Sequence, residues 1–335
     1  DTIAKPLFDR VLQGEYPPGS PFKTLTALIG LQEGVIDLDE KISCHGGYNY
    51  GGRKKLGCHH HVSPLAMIGG VAHSCNSYFA TVYRRTIDKY ATPQEGIDRW
   101  RKHLLSFGLG DYLGYDLPVG KKGLIPDSDF YNRYYQYPKY KWYTPATISN
   151  SIGQGEVLLT PMQMVNFTAA IANRGYYYKP HIIKNIVGVD TIPSAYQERQ
   201  NTTIDPQYFE PVIQGMNDVY NYGTAAYIQI PGIEICGKTG TAENYIKIDG
   251  KRMQLTDHSV FVAFAPKDNP KIALAVFVEN GYWGSRWAGR IAGLMIEQYL
   301  RGEITRKDME DFVLNGSLME EYEKPYRDEP FTINQ

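Results

Sequence analysis

The sequence has almost no net charge: Lys and Arg total 35 against 36 for Asp and Glu, leaving -1 over 335 residues. Without a basic field the chain cannot hold a nucleic-acid backbone, so nucleic acid is excluded as a partner. Long apolar runs are missing too. The richest stretches, Ser259 to Ala265 and Ile272 to Val278, are strand-length, far short of the roughly 18 residues that a bilayer-spanning helix needs. No basic, apolar leader follows Asp1, which leaves either a cytoplasmic protein or a segment parted from an upstream anchor. Cysteine is scarce, with four residues, too few to staple a chain this long. With 42% apolar residues, 21% charged and 27 tyrosines, disorder is excluded and a folded, globular protein is expected. Length alone predicts about two domains.

What is present is punctuation. Tyr16-Pro17-Pro18-Gly19-Ser20 forbids helix, and Leu25, Leu28, Ile29 and Leu31 then follow at helical spacing, so a helix is expected to start near Ser20. Residues 37–64 are polar and Gly-rich without either period, which predicts an ordered loop. Helices are expected over Asn76 to Tyr90, from the Thr92-Pro93-Gln94-Glu95 cap to about Phe107, and from Thr160-Pro161 to Gly175. Residues 108–150 are rich in Gly, Pro and Tyr, and their length as a connection points to function or a surface excursion. Strands are expected at Tyr176 to Val189, Glu234 to Thr241, Ser259 to Ala265 and Ile272 to Val278, the last two forming a hairpin. Pro206 to Tyr222 and Trp287 to Leu300 read as further helices. Helices early and antiparallel strands late predict an α+β fold.

Three short motifs occur in order: Ser20-Pro21-Phe22-Lys23, Ser74-Cys75-Asn76 and Lys238-Thr239-Gly240. Each alone is common, since Ser and Lys three apart occur on many solvated helices. Together they fall at a helix start, a helix entry and a strand, where acyl-transfer chemistry needs them. Positions i and i+3 share a helix face, so Lys23 would bring its amine near the Ser20 hydroxyl. A lysine takes a proton only when neutral, which needs burial or a second cation nearby, and Lys238, if brought close, would lower its pKa by repulsion. Ser74 would relay a proton to the leaving amine, Asn76 would orient a substrate amide, and Gly240 would let an extended ligand approach the strand edge.

At these motifs the chain resembles the class B penicillin-binding proteins, of the penicillin-binding protein 2 type that serves cell elongation. Ile152-Gly153-Gln154-Gly155, Thr160-Pro161-Met162-Gln163, Asp116-Leu117-Pro118 and Thr241-Ala242-Glu243 extend the likeness over roughly residues 4–300. The resemblance implies the transpeptidase and serine β-lactamase-like fold, an antiparallel sheet flanked by helices with an all-helical part. It joins the three motifs in one domain over 1–335, mainly helical over about 20–175 and mainly sheet over about 176–300, with a C-terminal helix. It implies a peptidoglycan D,D-transpeptidase with Ser20 as nucleophile, Lys23 as base, Ser74, Asn76 and Lys238 in support, and Thr239, Gly240 and Thr241 at the substrate carboxylate. Implied partners are stem peptides ending in D-Ala-D-Ala, β-lactam antibiotics and proteins of the elongation machinery. The family carries a membrane helix and a pedestal domain ahead of this segment. The expected setting is therefore the periplasmic face of the bacterial inner membrane, with the full-length protein tethered there. A serine β-lactamase or D,D-carboxypeptidase is the enzymatic alternative, and a non-catalytic β-lactam sensor the other.

No cofactor is expected for catalysis. Some relatives hold a zinc ion between the first two motifs, and Cys44, Cys58, His61 and Cys75 match those ligands in order and approximate spacing. His59 or His60 could replace His61. Three thiols and an imidazole suit zinc in a structural, closed site. An oxidising compartment would instead favour a Cys44–Cys58 disulfide, with Cys75 a small core residue. Cys236 reads as core.

Overall fold

In the computed structural model, which describes residues 5–52, 54–188, 191–248 and 251–319, the proline and glycine punctuation becomes element boundaries. A single turn, α1 (Arg10–Gln13), is capped by Asp9, which accepts from the Val11 and Leu12 amides. Pro21 sits in a short 3-10 turn, Ser20–Phe22, that continues into α2 (Lys23–Gln32). Residues 23–31 are all buried, so α2 is a central helix surrounded by others. Around it lie α3 (Met67–Ala72), α4 (Asn76–Asp88) and α5 (Pro93–Ser106), the last opened as expected by Thr92 accepting from the Glu95 amide at 3.2 Å. The region without period is partly ordered by α6 (Ser128–Tyr134) and a 3-10 stretch, Thr144–Ile152. A reciprocal capping box between Thr160 and Gln163 starts α7 (Pro161–Ala172). The series ends with α8 (Phe209–Asn221), α9 (Arg290–Arg301) and α10 (Lys307–Asn315), the last in a region without a legible motif.

Two strand expectations are corrected. The 37–64 loop contains a hairpin, β1 (Gly47–Gly51) against β2 (Lys54–Gly57), whose glycines hide the alternation of Tyr48 and Tyr50. The expected strand at Tyr176 to Val189 shrinks to β3 (Tyr176–Tyr177), paired with β4 (Gln200–Asn201); Val189 lies outside the described residues. Pro180 offers no amide, and Ile182 and Val187 are 74% and 97% exposed, so no sheet face buries them.

The main sheet is antiparallel and runs in the order β5 (Cys236–Ala242), β8 (His258–Ala265), β9 (Ile272–Val278), with the hairpin of β6 (Tyr245–Ile248) and β7 (Lys251–Gln254) between the first two in sequence. Central β8 divides its side chains between two cores. Val260, Val262 and Phe264 join the large cluster that contains α2, α4 and α7, while Phe261, Ala263 and Ala265 pack with Ala292 and Ile296 of α9. The expected α+β class, a sheet flanked by helices beside a helical part, is the observed one. Its consequence for function is that β5, an edge strand among the described residues, lies against the turn carrying Ser20.

Candidate active site and metal centre

The three motifs converge. A Cβ on Gly240 would fall 2.4 Å from Pro21 Cδ and 3.3 Å from the Pro18 carbonyl. Gly240 therefore lets the Ser20 turn pack on β5. Gln154, from one of the landmark segments, donates to the Thr241 carbonyl at 3.1 Å, and the Gly153 carbonyl accepts from the Gly19 amide at 2.9 Å. The segment Gly153-Gln154 thus bonds both the backbone just before Ser20 and the neighbouring strand β5.

Lys23 is fully buried and donates to the Ser74 carbonyl at 2.7 Å, to Ser74 Oγ at 3.0 Å and to Asn76 Oδ1 at 2.5 Å. Among the described residues no hydrogen bond joins its amine to the Ser20 hydroxyl, so the resting amine is turned toward the second motif. Ser74, at φ +54°, holds a backbone conformation rare outside glycine, which aims both of its oxygens at Lys23. Asn76 is fixed at both ends: its Nδ2 donates to the Gly57 carbonyl at 2.6 Å while its Oδ1 accepts from Lys23.

Burial brings the Lys23 amine down to about 8, against the opposing pull of Cys58 and Cys75. The expected cause, repulsion from Lys238, acts in the other direction. Lys238 is also fully buried, its amine donates among the described residues only to the Thr239 carbonyl at 3.2 Å, and burial followed by the charge of Lys23 holds it well below the ordinary range. At Lys23 desolvation is the largest cause, and Lys238 is not among the charges that act on it. Thr239 and Thr241 alternate with Lys238 along β5, with Thr241 Oγ1 accepting from the Gly284 amide at 3.1 Å.

Cys44, Cys58, His61 and Cys75 also meet: their three sulfurs and one ring nitrogen lie within 4.8 Å of one another. His61, not His59 or His60, supplies the nitrogen. Its Nδ1 bonds the Val62 carbonyl at 2.6 Å, leaving Nε2 toward Cys58 Sγ at 3.2 Å, the arrangement that fixes a ligand's tautomer. All four cysteines are free thiols. Cys58 is held well below the ordinary thiol range, chiefly by its hydrogen bond with Cys75, and the same bond pushes Cys75 up. A soft set of three sulfurs and one nitrogen within this reach suits a tetrahedral zinc ion. Cys236 is buried away from this cluster, and burial raises its thiol.

Residues 1–298 match the family described as penicillin binding protein transpeptidase domain. The chain is 34% identical to the peptidoglycan D,D-transpeptidase MrdA of Acinetobacter baumannii, over 97% of this chain and 48% of that protein. Its fold is similar to that of Pseudomonas aeruginosa PBP2 in complex with WCK 5153, with a TM-score of 0.76 and 30% identity over 92% of this chain and 67% of that one. It is also similar to Helicobacter pylori PBP2 in a complex with MreC, with a TM-score of 0.72 and 25% identity over 89% and 52% of the two chains. The chain spans about half the length of the curated relatives it matches.

Proposed function

This chain belongs to the penicillin-binding-protein transpeptidase family, and we propose that it catalyses peptidoglycan D,D-transpeptidation through an acyl-enzyme on Ser20. The observation that carries the reading is the buried Lys23 amine, poised near neutrality one turn after Ser20 and bonded to Ser74 and Asn76. Neutral Lys23 takes the Ser20 proton as Oγ attacks the carbonyl of the penultimate D-Ala. Ser74 passes that proton to the departing amine of the terminal D-Ala. An amine of a neighbouring stem then attacks the ester, and its proton passes through Lys23 to the departing Ser20 Oγ, which restores both the hydroxyl and the neutral amine. The open edge of β5 would receive the donor peptide as an added strand, with Lys238, Thr239 and Thr241 at its carboxylate and Gly240 between them.

The same reading makes the chain one transpeptidase domain in which a helical part and a sheet part share the site. It places the full protein, tethered by an upstream segment, on the periplasmic face of an inner membrane. Among the described residues no helix is long and apolar enough to cross a membrane. An elongation-machinery partner is suggested by the complex that the Helicobacter pylori relative makes with MreC. Cys44, Cys58, His61 and Cys75 would hold zinc as a brace with no part in the acyl transfer.

A fluorescent penicillin tests the proposal. We expect a covalent adduct located on Ser20 by mass spectrometry, absent in Ser20→Ala and persisting for many minutes. Turnover within seconds would replace transpeptidation with a β-lactamase or carboxypeptidase reading. A Ser20→Ala variant that still supports wall growth in cells would favour a sensor.

A further inference from the structure

The Thr239 hydroxyl has an unassigned partner. Thr224 Oγ1 lies 2.7 Å from Thr239 Oγ1, and Thr239 is only 8% exposed. Thr224 stands on the turn after α8, wedged between two of the motifs. A Cβ on the neighbouring Gly223 would fall 2.5 Å from the Ala72 carbonyl, just before Ser74, and the Thr224 amide donates to that same carbonyl at 3.4 Å. From the other side Ser285 Oγ donates to the Thr224 carbonyl at 3.3 Å and accepts from Tyr227 OH at 2.9 Å. The Ala72 carbonyl of α3 and the Ser285 hydroxyl before α9 therefore hold the backbone of Thr224 in place.

We propose that Thr224 is a positioning residue that donates its proton to Thr239 and thereby turns the Thr239 proton toward the free carboxylate of the substrate. A hydroxyl has one proton to give. If Thr239 spent it on Thr224, its lone pairs would face an incoming carboxylate and repel it. Among the described residues the Thr224 hydroxyl has only Thr239 as hydrogen-bond partner, so donation in this direction leaves no proton misplaced. Specificity for a substrate ending in a free carboxylate then depends on a residue outside all three motifs.

The inference rests on the acyl-transfer reading, and one experiment separates the two. Acylation rates are measured with a thioester depsipeptide bearing a free terminal carboxylate and with its primary amide, alongside fluorescent penicillin. In Thr224→Val the rate with the carboxylate ligand should fall about tenfold, as expected for one charge-assisted hydrogen bond, with the amide changed less than about twofold. Thr224→Ser should restore the carboxylate rate. Thr224→Ala serves as a second variant without the donor should the valine not fold, and melting curves confirm folding. Adding Thr239→Val should abolish the difference between Thr224 and its variants. An equal loss with both ligands would make Thr224 merely structural and overturn the proposal, as would no loss at all. A wild-type chain that penicillin does not acylate would overturn the acyl-transfer reading and this inference with it.

Discussion

Lys23 gives up its proton near pH 8 in the fold, well below its ordinary range, because α2 carries the amine into the buried interior. The sign of that shift has two consequences. The unfolded chain binds the proton more tightly, so folding is penalised below about pH 8 and the penalty fades as pH rises toward 10.5. Acylation of Ser20 by a β-lactam should run the same way, with a rate that climbs about tenfold per unit below pH 8 and levels off above it. Stopped-flow acylation across pH 6 to 9.5 checks this, and a rate flat over that range would remove Lys23 as the base. Lys23→Arg, which stays charged, should lose about a thousandfold without losing the fold. That Ser20 and Lys23 share one turn was legible because local spacing encodes it. Thr224 and the Gly57 carbonyl were not, because each reaches the site only through a tertiary contact and neither sits in a recurrent pattern.

Elements were legible where a cap announced them. Thr92 and Thr160 mark helix starts by side chains that bond within their own first turn, and β8 and β9 are apolar runs bounded by a proline turn. The β1–β2 hairpin and the bare segment after β3 were not, since short strands depend on what buries them. The end of α2 illustrates a tertiary term of that kind. Glu33, at its C-terminal cap, accepts from Lys89 at 2.7 Å, Tyr90 at 2.8 Å and His103 at 2.9 Å, joining α2 to the ends of α4 and α5. Burial works to raise its carboxyl, but these three donors outweigh it and bring it down to about 2. A depressed carboxylate stabilises the fold above its ordinary pKa, and the gain is lost as pH falls from about 4.5 through about 2. Glu33→Gln should therefore cost about 1.5 kcal/mol at pH 7, with the gap to wild type closing in acid. Urea denaturation at pH 7 and pH 3 measures both. An equal gap at the two values would show that the charge of Glu33 is not what ties the helices.

At the scale of the whole molecule, the loop over residues 37–64 leaves the helical part and returns to the second motif. Asn76 shows what its return does. The Asn76 amide donates to Cys58 Sγ at 3.2 Å and its side chain to the Gly57 carbonyl, so the loop holds the residue that accepts from Lys23. The loop packs Ile42, Tyr48, Tyr50 and Leu56 only partly buried against the core, and Cys44, Cys58, His61 and Cys75, contributed from three separate places in the chain, give it a second anchorage. A metal at those four ligands would bind the folded state alone and so add directly to its stability. Protein prepared without chelator should contain about one zinc per chain. Stripping it, or substituting Cys44→Ser, should lower the melting temperature by several degrees and slow β-lactam acylation together, because Asn76 loses its fixed support. Zinc returned to the stripped wild type should restore both, and should restore neither in Cys44→Ser. A zinc-free preparation with two thiols missing from titration would instead assign the loop's anchorage to a Cys44–Cys58 disulfide.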